Sequence, residues 1–208
     1  MIKNIIFDFG KVLVDYDFLL FVDKIFDGED EDDDKRVFSQ LITCQDFVDE
    51  CDLELIPFAD LIKRKQAEYP RFAHKIQYFA DHITDAVFQE KPGMRALMKR
   101  LKAAGYHLYG LSNWSSKVYD MMAKFPEIFA LLEGSVISCE EHIIKPDPAI
   151  YHRLCEKYQL RVDECIFIDD KAVNIEGAQK AGLQAIHFKD TAQLERDLKR
   201  RIATPQRH

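Results

Sequence analysis

Apolar and polar positions along the chain fall into two rhythms. Near the start, the apolar run Ile5-Ile6-Phe7 ends in Asp8, the pattern of a buried strand that delivers a carboxylate to its C-terminal tip. Between about residues 18 and 87, Phe21, Ile25, Phe38, Leu41, Ile42, Phe47, Val48, Phe58, Leu61, Ile62, Phe79, Ile83 and Val87 recur mostly at separations of three, four or seven. That spacing predicts a helical insertion after the first strand. The acidic run at residues 27–34 interrupts it. It lacks the alternating ligands and central glycine of a calcium loop and is read as a solvated inter-helix loop.

From Lys91 the rhythm changes. Pro92 suits a helix start, Met94, Leu97, Met98 and Leu101 form an apolar stripe, and Gly105 suits the C-terminal cap. Strands are predicted at 107–111, 135–138, 165–168 and 184–188. Helices are predicted at 117–125, 148–158, 172–181 (capped by Gly182) and from Thr191, with 204–208 expected to fray. Regular strand–helix alternation implies an α/β fold, a doubly wound parallel sheet of Rossmann-like form that binds ligands outside the carboxyl ends of its strands. The domain division expected is an α/β core of residues 1–15 and 88–208, with a helical bundle of residues 16–87 inserted.

Composition narrows the class. The 208 residues, 47% hydrophobic and 31% charged, match an ordinary globular protein of one domain, or one domain plus an insertion. Apolar stretches are strand-sized, and the first meets Asp8 too early for a signal peptide, so a cytoplasmic protein without a membrane span is expected. Cys44, Cys51, Cys139, Cys155 and Cys165 are odd in number and lack CxxC spacing, which favours reduced thiols over disulfides or zinc. A net charge of −7 opposes binding to nucleic acid or anionic membrane and leaves small molecules as the expected partners.

Four polar sites fall at or just after predicted strand ends: Asp8, Ser112-Asn113, Lys145 and Asp169-Asp170. Each has a structural reading when taken singly, since an aspartate caps helices, a serine starts turns and a loop lysine faces water. In this order and at strand ends, one crevice would hold them all.

Ile6-Phe7-Asp8-Phe9-Gly10-Lys11-Val12-Leu13, Gly110-Leu111-Ser112-Asn113, Lys145-Pro146-Asp147-Pro148-Ala149-Ile150-Tyr151 and residues 167–178 resemble the four motifs of the haloacid dehalogenase superfamily, mostly phosphatases. The resemblance spans nearly the whole chain. It lies nearest a bacterial branch that includes a glucose-1-phosphate phosphatase, and the inserted helices resemble the smaller cap of one subclass. It implies a Mg²⁺-dependent phosphatase of a small phosphorylated metabolite, with a sugar phosphate as one such substrate. Asp8 would be the nucleophile, forming an aspartyl-phosphate. Asp8, the Gly10 carbonyl and Asp170 would hold the metal, with Asp169 behind or as an alternative ligand. Ser112 and the Asn113 backbone N–H would bind phosphate oxygens, Lys145 would stabilise the phosphoryl group in transfer, and Asn174 would orient the metal loop.

The chain departs from the family at two positions beside Asp8. Most phosphatases of the family carry an acid–base aspartate two residues after the nucleophile; here that position is Gly10. General acid–base help, worth about 10²–10⁴-fold, must be missing or supplied from elsewhere. Asp15 and His142 are the candidates by sequence proximity. Lys11 replaces the usual glycine and is read as a phosphate contact, with pairing to Asp170 or a solvent-facing position as the alternatives, and Trp114 as a pocket wall or a core packing residue. The readings weighed against a phosphatase are an idle binding or regulatory protein, favoured by Gly10, a haloacid dehalogenase, disfavoured by paired carboxylates near an anionic substrate, and a phosphomutase, disfavoured by Gly10.

Overall fold

The computed structural model describes residues 1–26 and 32–203. Its strands are β1 (Asn4–Phe7), β2 (Val14–Tyr16), β3 (Val87–Glu90), β4 (His107–Ser112), β5 (Gly134–Ile137), β6 (Cys165–Asp169) and β7 (Gln184–His187). Five of them form a parallel sheet in the order β5-β4-β1-β6-β7. From β1 the chain runs outward through β4 and β5, then returns to β6 on the other side, so β1 is the point where the winding reverses. An α/β sheet opens its ligand crevice at such a point.

Alternation along the strands supplies both faces of the sheet. Ile5, Phe7, Leu108, Ile166 and Ile168 pack with Met94, Leu97 and Met98 of helix Met94–Ala103 and Leu194 of helix Thr191–Ala203. Ile6, Tyr109, Leu111 and Phe167 pack oppositely, with Ile150, Tyr151 and Leu154 of helix Pro148–Lys157 and Ile175 and Ala178 of helix Ala172–Lys180. The doubly wound α/β core expected from the sequence is therefore present, with helices on both faces.

Between β2 and β3 the chain forms helices Phe18–Ile25, Asp32–Thr43, Gln45–Leu53, Phe58–Glu68 and Ala73–His82. Their inward residues, including Phe21, Phe38, Phe47, Leu61, Phe72 and Phe79, make a separate apolar cluster. The antiparallel pair β2–β3 joins the chain entering these helices to the chain leaving them. Neither shows an apolar run like those of the parallel strands: within each only the first residue, Val14 or Val87, is buried.

Other local expectations need correction. The helix expected at Pro92 starts at Met94, because Gly93 takes φ +78° as its N-cap. Of the acidic run, residues 27–31 lie outside the described residues, but residues 32–34 belong to the helix Asp32–Thr43 rather than to the expected loop. Carboxylates suit the positive end of a helix dipole, and Asp33 and Asp34 also pair with Arg36 at 3.2 Å and Arg71 at 2.6 Å. The expectation of fraying at 204–208 also lies outside the described residues. Helices Pro126–Phe129 and Ser138–Glu141 were not anticipated. Among the described residues no helix is long and apolar enough to cross a membrane, and all five cysteines are free.

Candidate active site

Each polar group arrives on a different element. Asp8 follows β1, its N–H donating to the Ile168 carbonyl of the neighbouring strand at 2.9 Å. Ser112 ends β4 and Asp169 ends β6, while Lys145 lies on the loop before helix Pro148–Lys157. Gly177 lets helix Ala172–Lys180 approach that loop: a Cβ there would sit 2.4 Å from the Pro146 carbonyl oxygen.

Lys145 is the hub. Its buried Nζ lies 2.8 Å from Asp8 Oδ1 and 2.8 Å from Asp169 Oδ2, and donates to the Leu111 carbonyl at 3.1 Å. All three ammonium donors are thus engaged. The Asn113 side chain clasps the Lys145 backbone, accepting from its N–H at 2.8 Å and donating to its carbonyl at 3.0 Å. Asp169 is fully buried and held from three sides, by Lys145, by Asn174 Nδ2 at 2.9 Å and by the Lys171 N–H at 2.7 Å. Tyr151 in turn anchors the Asn174 carbonyl at 2.8 Å.

Carboxylate oxygens of Asp8, Asp169 and Asp170 lie within 4.8 Å of one another. Three carboxylates face one ammonium, so the cluster carries excess negative charge. Burial raises the Asp8 carboxyl to about 7, with Lys145 pulling it down and Asp169 and Asp170 pushing it up. Burial and Asp169 likewise raise Asp170, whereas for Lys145 the pull of Asp169 and Asp8 outweighs burial and holds the proton tightly. An all-oxygen donor set with surplus charge fits a hard divalent cation such as Mg²⁺. With both oxygens of Asp169 already accepting hydrogen bonds, Asp8 and Asp170 are the carboxylates open to it.

Asp8, Lys145 and Asp170 line a cavity of about 520 Å³, to which the inserted helices contribute Ile42, Phe47, Val48, Asp49 and Asp52 and the chain entering them Phe18. Ser112 and Asn113 also line it, and the buried Ser112 Oγ has no hydrogen-bond partner among the described residues. An unpaired buried hydroxyl costs about 1–3 kcal/mol, which a ligand oxygen recovers.

Other expected residues sit differently. Lys11 is outside the cavity lining: it has φ +63°, its ammonium donates to the Tyr16 carbonyl and lies 4.5 Å from the Tyr16 ring centroid. A lysine tethered to a carbonyl on its own loop is turned away from the expected phosphate contact. Asp15 pairs with Lys91 at 2.8 Å, and the His142 ring N–H donates to the Leu53 carbonyl at 2.8 Å, so both are engaged away from Asp8. Trp114 lines the cavity as expected. Gly10 lines it too, and a Cβ at Gly10 would come 2.7 Å from Tyr16 Cε1, so the Tyr16 ring occupies the space beside it. Tyr16 and Asp52 were missed by sequence reasoning. Asp52 lies on a helix whose spacing indicated only a buried face.

Residues 2–182 match the model of the haloacid dehalogenase-like hydrolases. The chain is 28% identical over 98 residues to a sesquiterpene phosphatase of Aspergillus oryzae, covering 47% of this chain and 50% of the relative. It is 27% identical over 97 residues to (S)-2-haloacid dehalogenase 4A of Burkholderia cepacia, covering 47% and 42%. The chain thus spans half or less of the length of these two curated relatives. A solved structure of a family enzyme from Bacteroides thetaiotaomicron, a mutant in complex with magnesium and inorganic phosphate, shares the fold with a TM-score of 0.74 at 21% identity, covering 93% of this chain and 99% of that one.

Proposed function

The chain belongs to the haloacid dehalogenase-like hydrolase family, and on that premise we propose that it is a Mg²⁺-dependent phosphatase of a small phosphorylated metabolite, with Asp8 as nucleophile. The observation that carries the reading is the Lys145 ammonium held 2.8 Å from both Asp8 and Asp169 at the carboxyl ends of adjacent strands. A phosphate ester repels an anionic nucleophile, so charge must be neutralised and an in-line approach fixed before attack. Lys145 supplies fixed positive charge that stabilises the phosphoryl group as it moves. Ser112 Oγ and the Asn113 N–H hold phosphate oxygens, while Asn174 and Lys171 keep Asp169 oriented beneath Lys145. Asp8, the Gly10 carbonyl and Asp170 would hold Mg²⁺, which adds neutralising charge when bound. Asp8 takes the phosphoryl group, the alcohol departs, and water then releases phosphate from the aspartyl-phosphate.

Residues 16–87 act as a cap in this proposal, shielding attack from water and opening for exchange. A cavity of about 520 Å³ suits a metabolite-sized ester. The sugar monophosphate implied by the resemblance is one candidate, and the apolar cap wall also suits esters with a hydrophobic organic part. The magnesium and phosphate in the structural relative and the phosphatase among the curated relatives support the reaction class. The dehalogenase relative raises the alternative of carbon–halogen hydrolysis. The cluster of Asp8, Asp169 and Asp170 opposes it, since a haloacid carboxylate would meet surplus negative charge. A cytoplasmic setting is part of the proposal and rests on five free thiols.

The test is phosphate release from sugar phosphates, nucleotides, prenyl phosphates and p-nitrophenyl phosphate, with Mg²⁺ or chelator, for wild type and Asp8→Asn. Metal-dependent turnover lost in Asp8→Asn supports the proposal. A wild type silent on every ester removes it in favour of an idle binding protein, the reading that Gly10 favours.

A further inference from the structure

We propose that Asp52, carried on the cap helix Gln45–Leu53, is the general acid that protonates the leaving group, in place of the side chain that position 10 lacks. The inference rests on the phosphatase reading and deepens it.

Asp52 lines the cavity together with Asp8, Gly10, Ser112 and Lys145, and comes from the inserted helix Gln45–Leu53 rather than from the ends of the sheet strands. With phosphorus between Asp8 and the leaving oxygen, an in-line displacement sends that oxygen away from the floor of the site and toward the cap. A donor on the cap is therefore on the correct side. Position 10 has no side chain, and the space beside it is taken by Tyr16, whose Cε1 would lie 2.7 Å from a Cβ there.

The segment bearing Asp52 is fastened to the core at three successive residues. The Asp52 carbonyl accepts from Ser138 Oγ at 2.6 Å and the Leu53 carbonyl from His142 at 2.8 Å. The Glu54 carboxylate accepts from the Ser116 N–H at 2.6 Å and from Ser116 Oγ at 2.9 Å. These bonds use the Asp52 and Leu53 carbonyls and the Glu54 carboxylate, and none of them uses the Asp52 carboxyl. No hydrogen bond or ion pair engages its carboxyl among the described residues. A mere docking carboxylate would be expected to carry such a partner.

Its surroundings suit proton donation near neutrality. Burial raises the Asp52 carboxyl to about 7; Lys171 and Lys145 lower it, Asp49 and Asp8 raise it. Tyr16, Cys51 and Cys139 also feel its charge. The Tyr16 phenol is pushed upward by burial and by the carboxylates of Asp8, Asp170 and Asp52, which makes it a poor acid at pH 7. In the first half-reaction an Asp8 oxygen bonds to phosphorus, the bond from phosphorus to the leaving oxygen breaks, and the Asp52 proton passes to that oxygen to give the neutral alcohol. In the second, water attacks the aspartyl-phosphate, its proton returns to the Asp52 carboxylate, and hydrogen phosphate and the Asp8 carboxylate are released.

Two esters of similar bulk test the step. p-Nitrophenyl phosphate has an acidic leaving group that departs without a proton; benzyl phosphate releases an alkoxide that needs one. First-turnover product release with Mg²⁺ is measured for wild type, Asp52→Asn and Asp52→Glu, after thermal melts establish that each variant is folded. Asp52→Asn should lose about 10²–10⁴-fold on benzyl phosphate and less than about tenfold on p-nitrophenyl phosphate. Asp52→Glu should keep the ratio of the two rates near that of wild type. Equal losses on both esters, or no loss on benzyl phosphate, overturn the role of Asp52 while leaving the phosphatase reading intact. Wild type silent on both esters overturns the two together.

Discussion

The carboxamide of Asn113 grips the backbone of Lys145 at two points, accepting from its N–H at 2.8 Å and donating to its carbonyl at 3.0 Å. This clasp fixes the loop from which the ammonium reaches Asp8. Asn113→Ala removes both bonds and should cost about 1–3 kcal/mol of stability. It should lower kcat more than it raises KM if, as proposed, Lys145 acts on the transferring group. Urea unfolding and steady-state kinetics read the two effects.

Lys145→Met leaves Asp8 and Asp169 facing each other without a cation between them. Removing one partner of a buried ion pair costs about 3–5 kcal/mol. The loss should be smaller with Mg²⁺ present, and turnover should vanish in either case. Melts at pH 8, with and without Mg²⁺, check the difference.

Gly10→Asp restores the aspartate usual in the family but drives its Cβ against the Tyr16 ring, 2.7 Å away. Overpacking of this kind costs about 1–3 kcal/mol. The variant should be less stable than wild type and no faster. A gain in turnover on alkyl phosphates would show that the ring yields.

Asp52 gives the metal-free protein a pH-dependent stability of definite sign. Its folded-state pKa of about 7 lies above the ordinary carboxylate value, so the folded state binds the proton more tightly. The resulting stability is fully present below about pH 4 and is lost as pH rises through about 7. Asp52→Asn should match wild type at pH 4 and exceed it at pH 8, on the order of a few kcal/mol, at about 2–4 °C in Tm per kcal/mol. Melts in chelator across that range measure it, and a higher Tm for wild type at pH 8 would refute the shift.

Mg²⁺ should raise the Tm of wild type, since a ligand at about one hundred times its Kd stabilises by roughly 2.7 kcal/mol. The rise should shrink in Asp170→Asn and in Asp8→Asn, whose carboxylates belong to the oxygen cluster. Chelator should reverse it. A rise of equal size in both variants would place the ion elsewhere.

Local periodicity was enough to read the α/β part of the fold. Apolar runs such as Ile5-Ile6-Phe7 and helical stripes such as Met94-Leu97-Met98-Leu101 are set by side chains within one element; the runs marked each strand of the parallel sheet and the stripes the helices between them. Because every strand of a parallel sheet points the same way, polar residues at strand ends meet at one edge. Asp8, Ser112, Lys145 and Asp169 were therefore legible as neighbours before any contact was known. β2 and β3 were not, because each buries only its first residue and so presents no apolar run.

The sequence by itself thus determined the winding of the sheet and the carboxylate-and-lysine floor of the site, since both follow from the order of strands and the residues that end them. Only the tertiary structure decided which way the remaining side chains face. Lys11 turns to the Tyr16 carbonyl, His142 bonds the Leu53 carbonyl of the inserted helices instead of serving the site, Tyr16 fills the space beside Gly10, and Asp52 joins the cavity lining from a helix distant in sequence. A periodic pattern records that a face is buried, but not what it is buried against. That choice rests on packing and hydrogen bonds between segments far apart along the chain.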